Sequence, residues 1–531
     1  MTTAVARERS GGAEAPRKPF TIVLITIYSV ENAGIRYVSA TLKRAGFNVY
    51  CVFLRDWRHN LLEMPSETEF GIVMNIVREK KADLIGVGFM SSLYQMAQDL
   101  TLRLKAEFPS TPVIWGGIHP TSVPEECIED ACDMLCVGEG EEAMLELVER
   151  MARGEDYTDV RNIWVKKDGQ VYKNPLRPLL QNLDWLPYPD IDEKTKYYVE
   201  ANRVTIEEPW LRTAEYRIYF SRGCPYNCSY CYVSILRDVY EEKGKKYYRH
   251  RSVGHIIGEM LEVKRKFKRL GHVKVDDDTS FAFGQDWLNE FCAEWKRNID
   301  VPFECLLIPP MLREDLLEQL QHAGLFRVQT GIESGSAKES KEIYNRAPGN
   351  KSILKFGEFN KRLKLDMIYD VIIDNPHATE EMKLEMADFM LELERPYKIY
   401  FYSLTYFPGT MLTKQLLASG ALRPDEVEGR STKAWKQFRV SMDWPRSDED
   451  RFYLAIYSLV SKDFVPKKVI RWLLDTRGFW KRKPWINVLY NTAWVANLIR
   501  MLGVALEYWR RGDLTWFKIR QYGNIRKLIS Q

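Results

Sequence analysis

A chain of 531 residues is too long for one hydrophobic core of ordinary size, so two or three domains are expected. Hydrophobic residues at 45% and charged residues at 28% are proportions of folded globular chains and exclude disorder as the prevailing state. A net charge of +4 over this length gives no ground for a nucleic-acid partner.

Residues 1–19 are polar and small, with no apolar run to act as a signal peptide, so a disordered N-terminus and a cytoplasmic location are expected. From Phe20 onward, short apolar runs fall at 21–28, 47–54, 82–90, 111–117 and 132–138, continuous as strands buried on both faces of a parallel sheet must be. Helix patterns separate them at 34–45, 68–80, 92–107, 121–130 and 140–153. Residues 20–154 therefore read as a doubly wound, Rossmann-like α/β sheet of about five strands, which binds ligands beyond the C-terminal ends of its strands. Those ends read "YSVENAG" (28–34), "SSLY" (91–94), "GGIHPT" (116–121) and "GEGEE" (138–142). No G-x-G-x-x-G follows the first strand, which argues against a dinucleotide site.

Prolines and aspartates punctuate 155–215, which reads as a linker packed on its neighbours. A second alternating series follows, with strands at 216–221, 272–278, 302–308, 326–333, 366–374 and 397–405 and helices such as 253–269, 285–297, 313–322 and 379–394. Residues 216–415 are expected to form an incompletely closed βα barrel of six units, its site at the C-terminal ends of the strands.

Directly after the first barrel strand stands "RGCPYNCSYC", with Cys224, Cys228 and Cys231 spaced C-x3-C-x2-C. Close-set thiolates suit zinc or an iron-sulfur cluster. Zinc wants a fourth ligand, and the nearest downstream histidine, His250, sits in the charged run "KGKKYYRHR". Three cysteines can instead hold three irons of a four-iron four-sulfur cluster and leave the fourth open. The other six cysteines lack a framework spacing and read as reduced, buried thiols.

This loop, with Tyr230 just before its last cysteine, closely resembles the signature of the radical S-adenosylmethionine (SAM) superfamily. The resemblance implies that the open iron chelates the amino and carboxylate groups of SAM and that the reduced cluster cleaves SAM to a 5'-deoxyadenosyl radical. It implies an electron donor such as flavodoxin or ferredoxin. "VDDDTSF" resembles the family's acidic segment near the SAM amino group, a role open to Asp277 or Asp278; the alternative is that these aspartates cap the loop. In "QTGIESGS", Glu333 and Ser334 would face SAM, and Gly331 and Gly335 would let backbone approach it. Residues 305–310 and 374–377 depart from the family pattern and are read as reflecting the substrate.

The first domain resembles the cobalamin-binding domain that precedes the barrel in one branch of the superfamily. Ser91, Ser92, Gly116 and Gly117 match its pocket for the cofactor's nucleotide tail, and Gly138 and Glu139 lie in the last loop beside it. The D-x-H-x-x-G that supplies a cobalt ligand in many such domains is absent, so cobalt is expected to lack a protein imidazole, with His119 a polar contact. The branch holds class B type methyltransferases and anaerobic Mg-protoporphyrin ester cyclases. Methylation of an unactivated carbon is the first expectation and oxidative cyclisation the alternative. A non-catalytic cobalamin or iron-sulfur sensor, a reading from another class, is opposed by the intact cysteines beside "GIESGS".

Residues 416–531 are expected to be helical, basic and rich in tryptophan. From 465 onward, fourteen lysines and arginines face three carboxylates. "PWINVLYNTAWVANLIRMLGVALEYWRR" makes a poor transmembrane span, broken by Asn491, Asn497 and Arg500. It suits either an interfacial helix in peripheral contact with a membrane or a cap packed on the barrel. The first alternative goes with a lipid-like substrate and the second with a soluble small molecule. RNA binding is the weaker third reading, because the aromatics follow a helical apolar stripe.

Overall fold

The computed structural model describes residues 20–56, 63–240, 247–347, 349–427 and 446–510. The stretch 1–19, expected to be disordered, and the basic tail 511–531 lie outside the described residues.

The N-terminal sheet has a parallel core in the order β5 (Met134–Cys136), β4 (Val113–Gly116), β3 (Leu84–Gly88), β1 (Thr21–Ile27), β2 (Asn48–Leu54). All seven residues of β1 are buried, as a central strand covered by helices on both faces requires. Helix starts are set by side chains: Asn32 accepts from the Ile35 amide at the head of Ala33–Arg44, and Ser66 and Glu69 form a capping box on Glu67–Lys80. The five expected strands are present and in doubly wound order.

The 155–215 segment does more than connect. A hairpin of β6 (Ile163–Lys167) and β7 (Gln170–Lys173) adds antiparallel to β5, and β8 (Lys196–Glu200) with β9 (Arg203–Ile206) extends the opposite edge beyond β2. Both edges of the parallel core are thereby paired. The short, polar-flanked strands left little apolar periodicity to read. Downstream, Glu208 forms a buried two-pronged pair with Arg36, whose guanidinium lies 4.3 Å from the Trp210 ring centre.

The second sheet is parallel throughout and open, in the order β10 (Glu215–Ile218), β13 (His272–Val275), β14 (Phe303–Leu306), β15 (Leu325–Glu333), β16 (Asp366–Ile373), β17 (Lys398–Ser403). Ion pairs run between neighbouring strands at its N-terminal end: Glu304 to Arg327 at 2.7 Å, Arg327 to Asp366 at 2.7 Å and Asp366 to Lys398 at 2.6 Å. They fill that mouth with polar contacts and leave the C-terminal end for chemistry. A two-stranded ribbon, β11 (Ser221–Arg222) with β12 (Arg249–His250), projects from the end of β10.

The last helices complete the core. Asp448–Val460 packs on Glu380–Glu392 of the barrel, and Ile486, Leu489, Ala493 and Ala496 of Trp485–Arg510 join the same apolar cluster. That helix therefore caps the barrel through one face. No helix of the described residues is long and apolar enough to cross a membrane.

Candidate active site

The cysteine loop begins at Gly223, whose φ of +87° is a left-handed conformation and where a Cβ would come within 2.6 Å of the Tyr247 carbonyl. It ends at Cys231, the N-cap of Tyr232–Val239. Between them the backbone is pinned from outside: the Ser229 amide donates to Tyr344 O at 3.0 Å, and Asn345 Nδ2 donates to Asn227 O at 2.8 Å. Cys228 is buried, and Cys224 and Cys231 are half-buried. Burial pushes the Cys224 thiol up to about 11 and Cys231 to about 12, and raises Cys228 as well. Such thiols stay protonated at neutral pH until a metal displaces the protons.

Among the described residues, the one set of three His, Cys, Asp or Glu ligand atoms lying within 4.8 Å of one another is Glu215, His272 and Glu304, at the opposite end of the barrel. The three sulfurs do not converge that closely, whereas thiolates on one tetrahedral zinc stand about 3.8 Å apart, given a Zn–S bond of about 2.3 Å. Three thiols on one short loop are the donor set of a cluster that keeps its fourth iron open.

Two groups of opposite charge flank the thiols. On one side, Arg346 stands with Nη1 3.3 Å from Glu333 Oε1 and 3.4 Å from the Tyr230 hydroxyl, while Nη2 donates to Gly331 O at 2.7 Å. Glu333 sits at φ +62° past a register shift in β15, which turns its carboxylate inward; burial raises its pKa, and Arg346 opposes that rise. A Cβ at Gly331 would lie 2.2 Å from Glu333 Oε1, so glycine there makes room for that carboxylate. On the other side, Asp278 opens toward solvent 3.5 Å from the Tyr232 hydroxyl. Crowding by protein, with Asp276 nearby, raises its carboxyl to about 6.

Asp277 faces the other way. Its Oδ1 accepts from the Phe220 and Ser221 amides at 2.8 and 3.1 Å, tying β13 to the end of β10, and burial raises it to about 8. Of the two aspartates considered, Asp277 caps the loop and Asp278 opens on the cleft. Ser334 donates to Glu339 Oε2 at 2.5 Å, and Glu339 also accepts from Tyr344 and Asn375. Gly335 packs on the helix Glu380–Glu392, where a Cβ would lie 2.9 Å from Met386 Cα. In the segment 374–377, Asp374 forms a bidentate pair with Arg446 at 2.7 Å and accepts from Ser403, and Asn375 braces Glu339. Both side chains also line a cavity with Glu333, Ser334 and Glu339.

In the N-terminal domain, the register sets Gly88 beside Gly116 at the C-terminal ends of β3 and β4, and a Cβ at either meets nothing nearer than 3.7 Å. The turn Ser91–Leu93, with Ser91 and Ser92 buried, follows β3 beside these paired glycines. Gly117, at φ +101°, passes so close to Phe89 that a Cβ would lie 2.7 Å from its carbonyl. His119 Nδ1 is 3.0 Å from Ser91 Oγ, and its ring packs on Tyr94 at 4.8 Å; burial lowers its pKa to about 4, so it is neutral. The small residues and a neutral imidazole suit the uncharged body of a large cofactor.

Gly138 and Glu139 lie where the two domains touch. The Glu139 amide donates to the Tyr240 hydroxyl at 2.7 Å, and a Cβ at Gly138 would collide with that hydroxyl. Glu139 accepts from Arg249 at 2.7 and 3.0 Å, and Arg222 pairs with Glu141 at 2.5 Å and with Glu139 at 3.4 Å. Arg222 and Arg249 are register partners in the β11–β12 ribbon.

Residues 21–148 match the family described as "B12 binding domain", and 218–390 match "Radical SAM superfamily". The chain belongs to the radical SAM superfamily. Its barrel is preceded by a B12-binding domain, so SAM, a four-iron four-sulfur cluster and cobalamin are its cofactors, and it is a radical SAM enzyme. It is 24% identical over 468 residues to "Uncharacterized methyltransferase PH0819" of Pyrococcus horikoshii, covering 86% of this chain and 95% of the relative. It is 28% identical over 322 residues to the anaerobic magnesium-protoporphyrin IX monomethyl ester cyclase of Rubrivivax gelatinosus, covering 57% of this chain and 52% of the cyclase, about half of that relative's length. The cobalamin-dependent SAM radical enzyme OxsB shares the fold, with a TM-score of 0.63 and 14% identity over 96% of this chain and 84% of OxsB.

Arg346, Gly88, Tyr240, Arg222 and Arg249 were not singled out from the sequence. Arg222 stood in plain view two residues before Cys224, but its carboxylate partners come from the other domain.

Proposed function

We propose that this enzyme methylates an unactivated carbon of a small, poorly soluble or lipid-like molecule. The observation that carries the reading is the junction, where the ribbon next to the cluster loop and the last strand-end loop of the B12-binding domain share one set of ion pairs. When bound, the cluster supplies an electron that starts radical chemistry on SAM, and cobalamin supplies a methyl group to a substrate carbon radical.

Cys224, Cys228 and Cys231 would hold three irons. Arg346 offers a guanidinium to the SAM carboxylate, and Asp278 a carboxylate to its amino group. Glu333 orients Arg346, while Tyr230 packs edge-on against Tyr344 with ring centres 5.2 Å apart and shields the Cys228 side from water. Gly88, Gly116, Ser91 and Ser92 would line the groove for the cobalamin nucleotide tail, with neutral His119 beside it. Flavodoxin or ferredoxin suits the role of electron donor, and the enzyme would work in the cytoplasm in peripheral contact with the membrane.

Anaerobically reconstituted protein, given SAM and a strong reductant, is the test. Formation of 5'-deoxyadenosine together with a product heavier by one methyl supports the proposal. The similarity to the cyclase favours a second reading, and ring formation without added methyl would support it. Absence of 5'-deoxyadenosine, with and without lipid extract as substrate source, would move the reading to a sensor.

A further inference from the structure

Seventeen large apolar side chains are exposed among the described residues, and ten of them lie between 464 and 506. On the helix Trp485–Arg510, Val488, Val495, Ile499, Leu502 and Leu506 recur at steps of seven, four, three and four, which places them on one face. The opposite face is the one buried on the barrel. The helix is therefore apolar on two sides, and only one is covered. From Val488 to Leu506 the stripe runs about 27 Å.

At the head of that stripe lies an aromatic cluster. Phe479 and Trp485 have ring centres 4.9 Å apart, and Trp472 and Trp480 5.6 Å apart; Trp472, Phe479 and Trp485 are exposed. The basic residues around it sort into two sets. Arg471 pairs with Asp388, Arg477 with Glu380, and Lys481 with Glu380 and Glu449, so these face the acidic flank of the barrel. Lys468, Arg482 and Lys483 are exposed beside the aromatic cluster, and no ion pair engages them among the described residues.

We propose that Lys467–Asp475, Arg477–Trp480 and the face of the last helix that carries Val488, Val495, Ile499, Leu502 and Leu506 form a docking face for an anionic lipid bilayer. The helices would lie in the headgroup plane with the apolar stripe turned to the acyl boundary and Lys468, Arg482 and Lys483 on lipid phosphates. Charge chooses the occupant: the inward cations already have carboxylate partners, and the outward ones complement an anionic surface. Tryptophan beside lysine and arginine is the composition of a bilayer interface. The proposal deepens the reading of a poorly soluble substrate, which such a face would let the enzyme draw from the bilayer.

The test is flotation of the full reconstituted chain with vesicles of phosphatidylglycerol and phosphatidylcholine, against vesicles of phosphatidylcholine alone. Binding is expected to the anionic vesicles, to weaken as salt rises, and to fall at least about tenfold in the variant carrying Lys468→Glu, Arg482→Glu and Lys483→Glu. A Trp472→Ser, Trp485→Ser variant should also bind more weakly. Iron content and 5'-deoxyadenosine formation should be unchanged in both, which keeps failure of docking distinct from failure of the methyltransferase reading. If a variant loses its iron, quenching of tryptophan fluorescence by brominated lipid in the unaltered chain decides instead. No binding to anionic vesicles at low salt overturns the proposal, as does unchanged binding by the folded variants. Self-association in sedimentation velocity that the Trp472→Ser, Trp485→Ser variant abolishes, without vesicle binding, would assign the face to a second copy.

Discussion

Arg249 Nη2 lies 2.7 Å from Glu139 Oε1, across the boundary between the barrel and the B12-binding domain. The arginine is almost fully buried, and its other terminal nitrogen donates to Glu139 Oε2 and to Leu180 O of the connecting segment. Because Arg249 pairs in register with Arg222, two residues before Cys224, the contact reaches the cluster loop. The domains are thus held together at the loop that bears the cysteines.

Glu139→Gln keeps the shape of this contact and removes its charge. Losing a hydrogen-bonded charge of this kind, part-buried on the glutamate side, costs about 1.5–3 kcal/mol. We expect a lower Tm and a wider distribution of distances between cobalt(II) and the reduced cluster in pulsed dipolar electron paramagnetic resonance. Arg222 and Arg249 hold the Glu139 carboxyl below its usual range despite burial. Its stabilising contribution is therefore present above the unfolded value near about 4.3 and is lost as pH falls through the lower folded value. The acid limb of the stability profile should flatten in the variant.

Cys228→Ala is expected to remove most of the iron and all SAM cleavage, since two thiolates cannot hold the cluster in register. Iron and sulfide analysis after anaerobic reconstitution checks this. Near-normal iron with normal turnover would defeat the cluster assignment.

The paired aspartates should separate cleanly. Asp278→Asn is expected to weaken SAM binding by roughly tenfold, the loss of one charge-assisted contact, with little change in Tm. Asp277→Asn should act on stability instead. With a folded value near 8 against about 3.9 unfolded, the carboxyl's contribution is full below about 4 and declines as pH rises toward 8. Stability of the asparagine variant should fall less over that window, as thermal melts from pH 5 to pH 8 would show.

His119→Phe is expected to reduce cobalamin affinity without altering the cobalt(II) spectrum. A neutral, buried imidazole engaged with Ser91 and packed on Tyr94 is placed as a wall. Nitrogen superhyperfine splitting from a protein ligand in the unaltered chain, lost on substitution, would instead make His119 a cobalt ligand.

The two sheets, their order and the cysteine loop were legible in the sequence, because continuous apolar runs, capping residues and C-x3-C-x2-C are local patterns whose meaning does not depend on distant partners. Gly88 belongs with these in hindsight: it closes the same strand as the "SSL" that was read, but only register shows that Gly116 lies beside it. The hairpins that finish the first sheet were hidden by their brevity and polarity.

What the tertiary structure alone decided are the relations between residues far apart in the chain. Glu139 and Arg249 are separated by 110 positions, and nothing near either residue marks it as a domain contact. Neighbouring side chains at a strand end point in opposite directions, so composition could not tell Asp277 from Asp278; only the fold shows that the amides of Phe220 and Ser221 bind Asp277. The C-terminal helix carries the same lesson. Its apolar content was plain, but whether that content meant a cap or an outer surface depended on what stood against each face, and burial divides the two roles between opposite sides of one helix.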